Sequence, residues 1–128
     1  MNNFKQTLLS SWSLWLSRLL LLATAIFISQ QMLTDNPVTV SISVWDKFAH
    51  FGVWGLVVTL SYYSCRSQRH FIIASITVFV YSICIEILQP IMAQRFFSFG
   101  DILANGLGCL TAMLLVPRVD QWLYRKFY

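Results

Sequence analysis

The sequence predicts an all-α membrane protein with four transmembrane helices. Hydrophobic residues make up 57% of the 128 residues and charged residues only 11%, whereas an average soluble domain contains roughly 25% charged residues. A chain this short exposes much of its surface, and nine basic and five acidic side chains are too few to cover it. These observations exclude disorder, a collagen-like repeat and a conventional cytosolic enzyme. They predict a single domain, residues 1–128, that is surrounded mostly by lipid.

The four predicted helices are segments almost free of charge, at residues 19–34, 48–65, 71–85 and 102–117. Each contains 15 to 18 residues before its polar flanks are added, and a helix needs about 20 apolar residues to cross a bilayer. We therefore expect Arg18 and Arg118 to extend their side chains to the interface. A soluble helical bundle would need polar outer faces, which a segment such as 72–85 does not have.

Two segments have a second interpretation. The first could be a cleaved signal peptide with Ala23-Thr24-Ala25 as its cleavage site, although the apolar run continues beyond these residues. The residues after Pro117 are expected either to lie along the inner membrane surface as an amphipathic helix or to form an irregular end of the fourth helix.

The positions of lysine and arginine predict the orientation. With a cytoplasmic N-terminus, the outer segments contain two basic residues, Lys47 and Arg95, and the inner segments contain seven: Lys5, Arg18, Arg66, Arg69, Arg118, Arg125 and Lys126. This is the positive-inside distribution of a multi-pass protein of the cell membrane, with both termini in the cytoplasm. The net charge of +4 therefore indicates topology and attraction to anionic lipid, and does not indicate nucleic-acid binding.

The other polar residues of the helices gather at the outer end. They are Asp46, Lys47 and His50 on the second helix, Glu86 and Gln89 on the third, and Arg95, Asp101 and Asn105 at the start of the fourth. Within each helix the spacing is three or four residues, so these side chains share one face. Ionisable groups at membrane depth must pair, face the bundle interior or line a wet cavity. The sequence therefore predicts one polar pocket that opens outward.

The same motifs resemble the VanZ-like family of small bacterial membrane proteins. The resemblance covers about residues 45–115 and rests on DKFAHF, EILQP, and RFFSFGD followed by ILANGLG. The matching positions are Asp46, Lys47, His50, Glu86, Gln89, Arg95, Asp101, Asn105 and Gly108. Where many relatives carry Tyr, this chain has Trp54, which removes a hydroxyl. The resemblance implies a cell-envelope protein linked to tolerance of glycopeptide antibiotics such as teicoplanin, and it implies no particular reaction.

Our leading hypothesis is an integral membrane protein that binds an anionic lipid or cell-wall precursor. Lys47 and Arg95 would recognise the anion, since lysine and arginine both bind phosphate or carboxylate groups. Gln89, Asp101 and Asn105 would complete the ligand-binding residues. Some of these side chains also have structural explanations, because Ser98-x-x-Asp101, like Ser43-x-x-Asp46, matches a capping box at a helix start.

The alternative hypothesis is an intramembrane hydrolase or transferase acting on an envelope phospholipid. The candidate catalytic residues are Asp46 and His50, as an orienting acid and a base, and Glu86 as a general acid. At membrane depth Glu86 must be either protonated or paired, and its available partners are Lys47, Arg95 and His50. A divalent metal held by Asp46, His50, Glu86 or Asp101 is conceivable, but no metal-type spacing supports it, so we predict neither a metal nor another cofactor. The predicted partners are membrane lipid and the anionic ligand.

Overall fold

The computed structural model describes residues 11–34 and 44–127. These residues form four α-helices and no strand, which confirms the all-α prediction. The helices are α1 (Ser11–Leu33), α2 (Val44–Ser64), α3 (Gln68–Met92) and α4 (Phe99–Phe127). They contain 23, 21, 25 and 29 residues. Each helix is longer than the apolar segment that predicted it, because the polar flanks continue the same helix.

Three of these helices, α1, α3 and α4, are long and apolar enough to cross a membrane by length and composition. The prediction of four such helices therefore holds for three, since α2 is not among those found in the described residues. The first turns of α2 contain Asp46, Lys47 and His50, and these polar side chains lower the hydropathy of the helix.

The bundle is arranged around α2 and α3. Each of these two helices contacts all the others, whereas α1 and α4 do not touch each other within the described ranges. Two hydrogen bonds show that α1 runs parallel to α3. The Ser29 and Tyr81 hydroxyls are 2.5 Å apart, and the Gln89 amide donates to the Met32 carbonyl oxygen at 3.3 Å. The bundle therefore includes α1, which is unbroken through Ala23–Ala25.

The outside of the bundle is apolar and much of its inside is polar. Large hydrophobic side chains such as Leu19, Phe27, Ile76 and Leu107 are exposed along the helices. The buried polar residues of the described chain are His50, Ser61, Ser64, Ser75, Ser82, Glu86, Gln89, Asp101 and Asn105. This distribution is the reverse of that in a soluble protein and is typical of a bundle that is surrounded by lipid.

The backbones of α2 and α4 approach each other closely where they cross. A Cβ atom on Gly108 would overlap the Phe51 carbonyl oxygen, and a Cβ atom on Gly55 would lie 3.3 Å from the Gly108 carbonyl oxygen. Glycine at position 108 therefore permits the contact. His50 and Asn105 lie next to this crossing, toward the start of both helices, so the crossing brings their side chains together.

The residues after Pro117 continue α4 as one helix to Phe127. The helix has no break at Pro117, so the structure contains neither a separate surface helix nor an irregular end. The Tyr62 hydroxyl donates a hydrogen bond of 2.7 Å to the Asp120 carboxylate, which joins this extension to α2.

Candidate functional site

The connection between α3 and α4 positions the predicted site residues. Helix α3 continues through Pro90 and ends at Met92. Gln94 has a φ of 49°, a left-handed conformation that turns the chain back after a helix end. The Arg95 N–H then donates to the Gln89 carbonyl oxygen at 3.5 Å. As a result, Arg95 lies over the end of the bundle.

Ser98 begins α4 and links it to α3. Its hydroxyl accepts a hydrogen bond of 3.3 Å from the Asp101 N–H, as the predicted capping box requires. The other half of the box is absent, because the Ser98 N–H donates to Glu86 Oε1 at 3.1 Å and not to Asp101. The second predicted box includes Ser43, which lies outside the described residues.

Two ion pairs lie at the rim of the bundle, at the end where α2 and α4 begin. Lys47 Nζ is 2.9 Å from Asp101 Oδ1, and Arg95 is 3.3 Å from Asp46 Oδ1. Each pair joins two different parts of the chain. The Lys47 and Arg95 side chains are about two-fifths exposed, whereas that of Asp101 is buried. Both cations are therefore accessible from outside the bundle.

Glu86 lies beneath this rim and has a different partner from the one expected. It is 1% exposed, and its carboxylate accepts the hydrogen bond from the Ser98 N–H. Among residues 11–34 and 44–127, no lysine, arginine or histidine lies within ion-pair distance of Glu86. Of the two expected states, protonated or paired, the structure therefore does not contain the ion pair, because Lys47 and Arg95 pair with aspartates.

His50 is buried between α2 and α4. Its Nδ1 lies 3.0 Å from Asn105 Oδ1, and its Nε2 lies 4.0 Å from Asp101 Oδ2. An amide oxygen only accepts hydrogen bonds, so Nδ1 is the donor and carries the proton. The residue that orients the ring is thus Asn105 on α4, whereas the sequence pointed to Asp46 on the same helix.

The structure brings most of the predicted site residues together, and we call this group the polar cluster. It contains Asp46, Lys47, His50, Glu86, Arg95, Asp101 and Asn105. Gln89 is buried nearby, but its amide donates to the Met32 carbonyl oxygen on α1, so this contact holds α3 to α1. Two buried polar atoms have no hydrogen-bond partner in the described structure, Asn105 Nδ2 and Trp54 Nε1.

Three members of the polar cluster could hold a metal ion. Asp46, His50 and Asp101 each offer one ligand atom, and these atoms lie within 4.8 Å of one another. The sequence contained no spacing that indicates this group, because Asp101 is on α4 and joins the other two only through the α2–α4 crossing.

A comparison with protein families tests the predicted identity. The family model described as VanZ/LLP1 matches residues 3–122, which is almost the whole chain. The chain belongs to the VanZ/LLP1 family. The match extends beyond the motifs at 45–115 and includes α1 and most of α4. No curated protein and no solved structure matches the chain.

Membership of the VanZ/LLP1 family agrees with the physical properties of the bundle. Three helices are apolar enough to span a membrane, and the outer surface of the bundle is apolar. The chain is therefore a multi-pass VanZ/LLP1 membrane protein whose helices contact lipid.

Proposed function

We propose that this VanZ/LLP1 protein binds an anionic lipid or cell-wall precursor at its polar cluster. The observation that carries the proposal is the pair of half-exposed cations, Lys47 and Arg95, above a buried polar floor. Lysine has three N–H donors and arginine five, so each has donors left after it contacts its aspartate. A phosphate or carboxylate at the rim would accept hydrogen bonds from both.

The proposal also assigns different tasks to the predicted ligand-binding residues. Lys47 and Arg95 would contact the anion. Asp101 and Asn105 would position the rim and the floor, because Asp101 holds Lys47 and Asn105 holds His50. Gln89 would support the site from behind through its hydrogen bond to α1.

We propose a topology of four spans with both termini in the cytoplasm, so that the polar cluster faces outward. The contacts of α2 support its role as the fourth span. It meets α4 near its start, at His50 and Asn105, and again near its end, at Tyr62 and Asp120. It therefore runs beside a helix that is apolar enough to cross the membrane. The excess of basic residues at the opposite end of the bundle supports the orientation.

An outward site for an anionic precursor also supports a role in the cell envelope of the inner membrane. Tolerance of glycopeptide antibiotics, which the family resemblance implies, would then follow from binding a precursor or lipid of the envelope. We propose this link as a consequence of ligand binding.

The binding proposal is tested by thermal unfolding of the purified protein in a neutral detergent. A ligand that binds only the folded state raises the unfolding temperature. We expect an anionic phospholipid to raise it more than a zwitterionic phospholipid with the same acyl chains. Arg95→Gln should lose most of the difference, and Arg118→Gln at the other end of α4 should keep it. Equal shifts with both lipids would contradict the proposal.

An intramembrane enzyme is the second candidate, and the geometry of His50 favours it. With Nδ1 bonded to Asn105, the neutral ring has its lone pair on Nε2, as a general base requires. Glu86 would be the general acid, with Asp46 beside the ring. The test is turnover of envelope phospholipids by the parent, His50→Ala and Glu86→Gln. Turnover by the parent that both variants lose, while they still bind lipid, would establish the enzyme. No turnover by the parent would exclude it for these lipids.

A further inference from the structure

We propose that Asp46, His50 and Asp101 form a binding site for a divalent transition-metal ion. One atom of each residue lies within 4.8 Å of the corresponding atoms of the other two. His50 Nε2 and Asp101 Oδ2 are 4.0 Å apart. Ligand atoms around a four-coordinate metal with bonds of 2.0–2.2 Å are separated by about 3.4 Å. Small side-chain rotations would therefore bring these atoms to ligating distance.

The hydrogen bond on the other ring nitrogen of His50 prepares Nε2 for a metal. Since Asn105 Oδ1 accepts from Nδ1, the neutral ring directs the Nε2 lone pair toward the carboxylate of Asp101. A lone pair facing a carboxylate oxygen is repelled unless a proton or a metal cation lies between them. Histidines that bind metals are commonly fixed in this way, with the second ring nitrogen donating to an oxygen acceptor.

Each of the two aspartates also contacts a basic side chain that is not itself a proposed ligand. The oxygen Oδ1 of Asp101 accepts from Lys47, whereas its Oδ2 faces His50. Asp46 likewise contacts Arg95 at the rim. In metal sites, carboxylate ligands are commonly held by such hydrogen bonds from a second layer of residues.

A separate observation is that one buried N–H group of the polar cluster has no hydrogen-bond acceptor. Asn105 is 1% exposed, and its Nδ2 has no hydrogen-bond partner among the described residues. A buried N–H without an acceptor destabilises the folded protein. The oxygen of a water or anion on the metal would be such an acceptor, next to His50. The donor set of one imidazole and two carboxylates suits Zn²⁺ or Mn²⁺ better than Ca²⁺ or Mg²⁺.

The metal proposal does not depend on the anionic ligand, and its test contains no lipid. Metal-free protein in a neutral detergent is titrated with Zn²⁺ in a calorimeter. We expect one site, which His50→Gln and Asp101→Asn each weaken at least about tenfold. The control variants His70→Gln and Asp120→Asn change the same residue types at the cytoplasmic end and should bind Zn²⁺ like the parent.

Lys47→Met keeps the test valid if a ligand variant does not fold. Lys47 holds the Asp101 carboxylate from a second layer, so its removal should weaken Zn²⁺ binding about tenfold although Lys47 is not itself a ligand. An ion bound elsewhere on the protein would not respond in this way. The proposal is overturned if the folded parent does not bind Zn²⁺, if Lys47→Met binds as tightly as the parent, or if the controls weaken binding as much as the ligand variants.

Discussion

Residues of the polar cluster are held mainly by hydrogen bonds and ion pairs to other helices or loops, and less by contacts within their own helix. His50 bonds to Asn105 on α4, and Glu86 on α3 accepts from the backbone of Ser98. Spacings of three or four residues predicted pairs of side chains that can share a face within one helix. The spacings could not identify partners on other helices, because those depend on how two helices cross. For this reason the sequence pointed to Asp46 as the residue that orients His50, whereas the structure contains the bond to Asn105.

The bond between His50 and Asn105 predicts the effect of removing the amide. Asn105→Ala would leave the buried Nδ1–H of His50 without its acceptor, so we expect the free energy of unfolding to fall by about 1–3 kcal/mol. Thermal or denaturant unfolding in a neutral detergent measures the change. Thr77→Ala is the control, because the Thr77 hydroxyl is exposed and bonds only within its own helix. Equal stability of both variants would contradict the structural role of Asn105.

The contact of Glu86 predicts that its hydrogen bond matters more for folding than its charge. Glu86→Gln retains an oxygen that accepts from the Ser98 N–H, so it should change the free energy of unfolding by less than about 1 kcal/mol. Glu86→Leu leaves that N–H unbonded and should cost about 1–3 kcal/mol. Unfolding of the two variants side by side measures the difference. A large loss in Glu86→Gln would instead indicate an ion pair that needs the carboxylate.

At the scale of elements, the crossing of α2 and α4 determines the site. Gly108 permits the two backbones to touch, and His50 and Asn105 meet beside that contact. The apolar segments predicted the four helices, because their length and composition are local properties. They predicted shorter helices than those observed, since polar flanks at a membrane interface continue a helix without adding hydropathy.

Because of this crossing, substitution by alanine should affect stability differently at Gly108 on α4 and at Gly52 on α2. Gly108→Ala would place a methyl group against the Phe51 carbonyl oxygen, so we expect it to cost about 1–3 kcal/mol through overpacking. Gly52→Ala has no atom within 4 Å of the added carbon and should be neutral or stabilising by up to about 1 kcal/mol. Unfolding measurements on both variants check this. Equal effects would mean that the helices do not cross at Gly108.

At the scale of the whole molecule, the proposed topology places the two ends of the bundle on opposite sides of the membrane. The connection at Gln94 lies beside the polar cluster, and Cys65 lies at the other end, between α2 and α3. Labelling with a membrane-impermeant thiol reagent in intact cells tests this. Starting from a chain without Cys65, Cys84 and Cys109, we expect Gln94→Cys to react, whereas a chain with Cys65 alone should not. The opposite pattern would place the polar cluster in the cytoplasm.

The central claim is that the polar cluster binds an anionic molecule of the envelope. Native mass spectrometry of the protein released from detergent tests it most directly, because it weighs the molecules that remain bound. We predict that the parent and Arg118→Gln retain an anionic lipid or precursor, and that a variant with both Lys47→Gln and Arg95→Gln loses it. Retention of the same anionic species by all three proteins, or of none by the parent, would contradict the account.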